Sequence, residues 1–367
     1  MLFHWYLFVF LFVLYIIADL GDQTYQVCVS GELELRYKWF TAFAVITVLT
    51  FVAAIRSPSF IDTISYYIHY MKEPGTLESA INRLIKPGKD KAFYALTALL
   101  KGLLGDHIQI YFAIISGFSL LLVFSAYRKH SCNFLISAFL FIASGEYVQW
   151  THNGIRQFIA VSIVFAATDL LLQRRYILYT FLVLLASTFH ASSLIMLPAV
   201  FVVLGKAWNR RLKLTLIVVL VLSSSSSLLL NLLVTIMENT QYVNDVHSLM
   251  NTGGTNVFRV LVFCVPPLLT WLFREPIALI DNPRVNLMVN MSVVSMCLYI
   301  VSMFTSGIYV GRLPIYFSLH NYLLLPWIID RFFVKSSGKL IYMLLITCYM
   351  IFYYYQMHVV WGDVIIV

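Results

Sequence analysis

Charge is what this chain holds least of: Asp, Glu, Lys and Arg make up 11% of its 367 residues, against 60% hydrophobic side chains. A water-soluble domain of this size cannot hide so much apolar surface, which excludes an ordinary aqueous fold. Basic runs longer than two residues are absent, so nucleic acid is excluded as a partner although the net charge is +8. The five cysteines (Cys28, Cys132, Cys264, Cys297, Cys348) form no CxxC pair, and four lie in or beside apolar runs. They read as small packing residues, neither metal ligands nor a disulfide set. No DxD, HExxH or paired His/Cys spacing stands on the side assigned below as outer, and no Walker A or GxGxxG sequence occurs. No metal, cofactor or nucleotide is therefore implied. Met1 to Ala18 is apolar without a basic start or a clear cleavage site, and reads as a first span rather than a signal peptide.

What the chain does hold is a series of apolar runs near 2–18, 39–55, 108–126, 133–149, 156–172, 177–189, 191–204, 214–230, 259–273, 286–303, 313–329 and 340–357. Lipid-exposed backbone must be helical, so these predict an all-α, polytopic bundle of about twelve helices forming a single integral membrane domain over 1–367. Alternate loops carry fifteen Lys and Arg: Arg36/Lys38, Arg128/Lys129, Arg174/Arg175, Lys206/Arg210/Arg211/Lys213, Arg274/Arg284 and Arg331/Lys335/Lys339. The positive-inside bias puts these in the cytoplasm and both termini outside. The pair 177–189 and 191–204 is read as a hairpin of two short helices meeting at His190, against the rival of one long tilted helix. Two outer loops are too long to be linkers. Loop 56–107 has Phe60, Ile64, Tyr67 and Met71 at helical spacing opposite Asp62, Tyr66 and His69. It then has a Lys86-Pro87-Gly88-Lys89 turn and a second amphipathic stretch, Asp90 to Leu104, with Phe93, Leu96, Leu100 and Leu103 on one side. Loop 231–258 is polar and ends in Asn251-Thr252-Gly253-Gly254-Thr255-Asn256. No internal repeat is found.

Outside the long loops, the outer side carries only three basic residues, the lone arginines Arg156, Arg259 and Arg312, and Arg56 ends the second helix. Arginine near a bilayer requires a partner or a hydrated cavity, and its planar fork of donors suits phosphate. Converging on a diphosphate, these four would stabilise the charge on a departing group. The competing reading of each is snorkelling to lipid phosphate, or a pair with a carboxylate such as Asp62 or Glu146. His190, with an ordinary pKa of about 6.5, suits a general base; Asp62 is the alternative, unless it only orients Arg56. His152 and Glu146 lie within two turns of Arg156 and are candidate support for it, a solvated rim being the commoner fate. Tyr147, Trp150, Tyr309 and Tyr316 are either stacking surfaces for sugars or interfacial anchors.

Ile55-Arg56 followed by Asp62 and Tyr66, Gly154-Ile155-Arg156-Gln157 with Ala160, Ala186-Ser187-Thr188-Phe189-His190-Ala191-Ser192, and Arg312 with Tyr316-Phe317 resemble, in this order, the EpsG family. Its members are bacterial polytopic proteins related to the Wzy polymerases of O-antigen and capsule. The resemblance extends over roughly 40 to 330. It departs where Phe60-Ile61 precede Asp62 in place of a glycine, and where Lys91-Ala92-Phe93 stands in place of an acidic residue.

The resemblance implies a metal-independent, inverting polymerase of undecaprenyl-diphosphate-linked oligosaccharide at the outer face of a bacterial inner membrane. Arg56, Arg156 and Arg312 would bind the diphosphate and His190 or Asp62 would be the base, with Tyr66, Gln157 and Tyr316 contacting substrate. Position in the sequence adds Arg259 to the diphosphate set and His152 and Glu146 to the substrate contacts. Membrane lipid, a chain-length regulator and a flippase are the partners so implied. A transporter of lipid-linked glycan and a membrane O-acyltransferase using His190 are the rival functions. The topology is testable: in a cysteine-free background, Arg156→Cys, His190→Cys and Arg312→Cys should all react with an impermeant thiol reagent added outside intact cells. Labelling of any of the three only after permeabilisation overturns the assignment.

Overall fold

The computed structural model describes residues 2–29, 32–58, 62–86, 88–223, 235 and 253–362. Two compact units are present, Met1–Ser193 with Ile329–Val367, and Leu194–Ile328.

The first unit contains α1 (Leu2–Leu20), a hairpin of β1 (Thr24–Val29) and β2 (Glu32–Tyr37), and α2 (Trp39–Ala54). Three loop helices follow: α3 (Thr63–Lys72), α4 (Leu77–Ile85) and α5 (Lys91–Leu104). Next come α6 (Ile108–His130), α7 (Phe134–Ala143), the single turn α8 (Glu146–Val148) and a π-helix at Gln149–Asn153. Beyond it run α9 (Ile155–Ala166), α10 (Thr168–Leu172) and α11 (Tyr176–Phe189). The second unit holds α12 (Met196–Val203), α13 (Arg210–Ser223), α14 (Val257–Leu272), α15 (Arg274–Ile280), α16 (Pro283–Met303) and the short α17 (Ile315–Ser318). Two further helices, α18 (Asn321–Phe332) and α19 (Lys335–Tyr354), return the chain to the first unit, and α19 continues as a π-helix to Val360.

The protein is a helical membrane protein. Among the described residues, Ile108–His130, Ile155–Leu172, Pro283–Met303 and Lys335–Val360 are long and apolar enough to cross a bilayer, and α14 with α15, bent by 69°, makes a possible fifth. The expected count of about twelve spans is not confirmed. The apolar runs do form helices, but several are only 10–17 residues long, short of the roughly 20 that a span requires. The antiparallel hairpin, with Thr24 opposite Tyr37 and Val29 opposite Glu32, departs from the all-α expectation. It lies in the segment read as a plain basic loop, where Thr, Tyr and Val favour a strand. The run expected over 133–149 stops at Ala143, because Gly145 takes a left-handed conformation (φ 80) and the chain restarts as α8. A break at His190, in extended conformation, ends α11 where two helices were expected to meet. Most of loop 231–258 lies outside the described residues.

Loop 56–107 is built of helices on a shared core. Tyr70, Phe93, Leu100, Ile108, Tyr111, Phe112, Ile115, Ile155 and Ile159 form one buried cluster, with Tyr66, Tyr67, Tyr94, Leu96, Leu104 and Phe189 packed on it. The face expected for α5 holds for Phe93, Leu96 and Leu100 but not for Leu103, which is 81% exposed; Leu104 takes its place. A helix advances about 100° per residue, so one position decides the face at the end of a four-turn element. The sequence reading missed α4, which Thr76 caps by accepting from Ser79 N (3.1 Å).

The turn after α3 meets α5 backbone to backbone: a Cβ on Gly102 would stand 2.3 Å from Gly75 O, and Gly75 itself has φ +71. Gly102→Ala should therefore cost about 1–3 kcal/mol through overpacking, read as a lowered thermal midpoint in detergent. Gly88→Ala, where a Cβ meets open space, should leave the midpoint unchanged; equal behaviour of the two variants contradicts the packing.

Candidate functional site

The first unit gathers its polar residues around the break between α7 and α9. The π-helix and the turn at Gly154 leave carbonyls without helical partners. Side chains from a distant segment take them up. Arg56 donates from Nη1 to Thr151 O (2.6 Å) and His152 O (3.3 Å), and from Nε to Ala53 O (2.6 Å). Thr63 Oγ1 donates to His152 O (3.3 Å), and Tyr66 Oη to Asn153 O (3.0 Å). Three consecutive carbonyls are thus served by the end of α2 and the first turn of α3. Arg56 also lies over the Phe112 ring, 4.1 Å from its centroid, and is 9% exposed. Its Nη2 is buried and has no acceptor among the described residues.

Gly154 is required by the same turn, since a Cβ there would stand 2.6 Å from the Trp150 ring. The Trp150 indole N–H donates to the carboxylate of Glu146, itself fully buried. His152 is buried with Nδ1 2.8 Å from Thr151 Oγ1 and its ring edge-on to Tyr147. The solvated rim expected of Glu146 and His152 is therefore corrected: both are interior groups of the break. Gln157 is buried one residue beyond Arg156. Tyr147, Trp150 and Tyr316 are buried as well, which replaces both the stacking and the anchoring readings by interior packing.

Arg156 opens α9. Its Nη1 donates to Asp90 Oδ2 (2.8 Å) and Tyr94 Oη (3.1 Å), and its guanidinium lies 5.9 Å from the Tyr66 and Tyr94 ring centroids. The expected carboxylate partners were Asp62 and Glu146; the partner is Asp90, which precedes α5 in a left-handed conformation (φ 52) and is 8% exposed. Asp90 and Tyr94 were not among the sequence candidates. The available signal was an aspartate directly before an amphipathic run with a tyrosine one turn on. Burial holds the Asp90 carboxyl above its ordinary value, against the opposing pull of Arg156 and Lys89.

Asp62 occupies the residue before α3, half-buried, with no capping bond from its side chain. Its neighbour Thr63 touches the same His152 carbonyl that Arg56 does. His190 stands at the end of α11, directly after Phe189, which packs against the buried cluster that includes Ile155 and Ile159. Its Nδ1 is 2.6 Å from Ser192 Oγ and accepts from Ser192 N (3.4 Å). A ring that accepts through Nδ1 carries its neutral-state proton on Nε2, which makes it a hydrogen-bond donor there.

In the second unit Arg259 is 8% exposed near the start of α14, its guanidinium 5.4 Å and 5.9 Å from the stacked rings of Phe263 and Tyr299. Arg312 is half-buried in the turn before α17, where Tyr316 is buried. That turn is tied to the end of the second outer loop, with Thr255 N donating to Ser302 O (3.0 Å) and Gly307 N to Gly253 O (2.9 Å). Among the described residues no group of three or more His, Cys, Asp or Glu is placed to hold a metal ion.

A family model described as the EpsG family matches residues 39–363. No curated protein and no solved structure matches the chain.

The buried pair carries a pH signature. A carboxyl whose proton is held more tightly in the folded than in the unfolded chain favours folding at low pH. That contribution fades as pH rises from 3.8 through the raised value. Asp90→Asn removes this titration, so the variant should gain on the wild type in thermal midpoint as pH rises from 3.8 through the raised value. A gap that stays constant across that range refutes the burial of an ionised Asp90.

Proposed function

The chain belongs to the EpsG family, whose members are Wzy-like membrane proteins of polysaccharide biosynthesis, and on that premise we propose that it polymerises undecaprenyl-diphosphate-linked oligosaccharide. Repeat units would be joined into surface polysaccharide (O-antigen, capsule or exopolysaccharide) at the outer face of a bacterial inner membrane. The observation that carries this reading is Arg156. It is an arginine at the first turn of a membrane helix, partly exposed and oriented by Asp90 and Tyr94. The helix N-terminus adds partial positive charge at the same place, which suits a diphosphate.

In the proposed reaction an acceptor sugar hydroxyl attacks the anomeric carbon of a second lipid-linked glycan. The bond from that carbon to the diphosphate oxygen breaks, and undecaprenyl diphosphate leaves with the electron pair beside Arg156. A single displacement inverts the anomeric centre. The hydroxyl proton passes to Asp62, because the His190 geometry suits donation from Nε2 better than acceptance. The positive charge that matches the leaving group comes from guanidinium groups.

A transporter of lipid-linked glycan is the second reading, favoured by the 69° bend between α14 and α15. In vesicles with substrate already on the outer side, a polymerase lengthens glycan, whereas a transporter does not. For the polymerase, Arg156→Ala and Arg312→Ala should remain folded in the membrane while surface glycan collapses to single repeat units, a loss of about 100-fold or more in elongation. Wild-type chain lengths in both variants overturn the mechanism.

A further inference from the structure

The loop helices enclose a cleft of about 680 Å³ that shares Tyr94 with the Arg156–Asp90 group but contains neither member of that ion pair. It falls within the range of small-ligand sites, roughly 300–1,000 Å³. Its walls carry Arg83, Lys86, Lys89 and Lys91 against a single carboxylate, Glu73. That carboxylate is 4% exposed and committed to Arg83, 2.8 Å away, so it fixes a guanidinium in the wall and adds little negative charge to the space. Asp90, just behind, is matched by Arg156. The remaining lining includes Ser79, Asn82, His69 and Tyr94. These groups donate and accept in the manner sugar hydroxyls require, beside an aromatic ring.

The two faces of α4 say which anion belongs here. Leu77, Ile81, Leu84 and Ile85 recur at helical spacing and are all exposed, an apolar face suited to lying on a membrane surface. Ser79, Asn82, Arg83 and Lys86 occupy the other face and line the cleft. Arg83 and Lys86 therefore open away from the lipid-facing side of their own helix, which disfavours a lipid headgroup as their counter-ion. Through Tyr94 the cleft reaches the Arg156 pair: the Tyr94 hydroxyl contacts Arg156 (3.1 Å), while its ring lies 4.7 Å from the His69 ring.

The geometry points to this cleft as the binding site for the sugar portion of the lipid-linked substrate, and to that sugar being acidic, with a carboxylate or phosphate substituent met by Arg83, Lys86, Lys89 and Lys91. The assignment rests on the polymerase reading for its substrate, but it is tested without turnover. Full-length protein in nanodiscs of phosphatidylcholine, which offers no anionic headgroup, is titrated with tetragalacturonate and with maltotetraose. Tetragalacturonate should bind about tenfold or more tightly than maltotetraose, and more weakly as salt is raised. The triple variant K86Q/K89Q/K91Q, with an unchanged thermal midpoint, should lose about tenfold of that affinity. Equal binding of the two tetrasaccharides, no binding of tetragalacturonate, or undiminished binding by the triple variant each overturns the proposal. The two readings fail separately. Wild-type chain lengths from both Arg156→Ala and Arg312→Ala with selective tetragalacturonate binding overturn the polymerase mechanism and leave the cleft, and the opposite pair of results does the reverse.

Discussion

The structure depends on satisfying a broken backbone inside a membrane protein. Between Ala143 and Ile155 the helical ladder is interrupted twice, and the residues whose carbonyls are released, Thr151, His152 and Asn153, are buried. Arg56, Thr63 and Tyr66 meet those of Thr151, His152 and Asn153. Each such bond contributes about 1 kcal/mol when made, but leaving a buried carbonyl unpaired costs about 1–3 kcal/mol. The three side chains come from one short stretch, so a single piece of chain determines whether the break is tolerated. It also follows that the loop after α2 is anchored to the helices at its very first turn.

That anchoring gives the two arginines different work. Arg56 spends two of its nitrogens on carbonyls and lies flat over Phe112, a positioning group with one unpartnered Nη2 among the described residues. Arg156, two residues past the break, is a third exposed and held by a carboxylate that desolvation keeps reluctant to ionise. A partly exposed guanidinium held by side chains at a helix N-terminus can be reached by an anion, whereas one buried and locked to main chain cannot. An anion arriving there would compete with Asp90, not with the backbone.

The positions of the helices were legible in the sequence because apolar runs of this length leave few alternatives. The breaks at 150–155 and at His190 were legible too, since apolar runs stop on either side of them. The one at Gly145 was not: it interrupts a stretch whose composition reads as continuous, Tyr147 and Val148 being as apolar inside a broken helix as in a regular one. The arginines were visible as isolated charges, and His190 and Asp62 as candidate bases, before the family resemblance matched the same positions. Asp90 was not visible, because its partner lies 66 positions away and nothing local marks an ion pair. It supplies a carboxylate directly before Lys91-Ala92-Phe93, where the resemblance had led one to expect an acidic residue. Glu146 and His152 were read as rim groups on the rule that charged side chains face water. The exception arises because Trp150 and Thr151 supply hydrogen bonds within the turn itself.

A further consequence concerns α5, the wall common to both recognition problems. Asp90 just before it and Tyr94 in its second turn face Arg156, Lys91 and Tyr94 face the cleft, and Phe93 and Leu100 pack on the buried cluster. These three directions are fixed together by one helical register, which Gly102 against Gly75 holds at the far end. A rotation of α5 by one residue would swing Tyr94 off Arg156 and take Lys91 from the cleft at the same time. On the proposed reading, phosphate recognition at the membrane and sugar recognition in the aqueous loop are therefore not independent. A chain that selects its glycan in the cleft orients, through the same helix, the arginine that receives the leaving group.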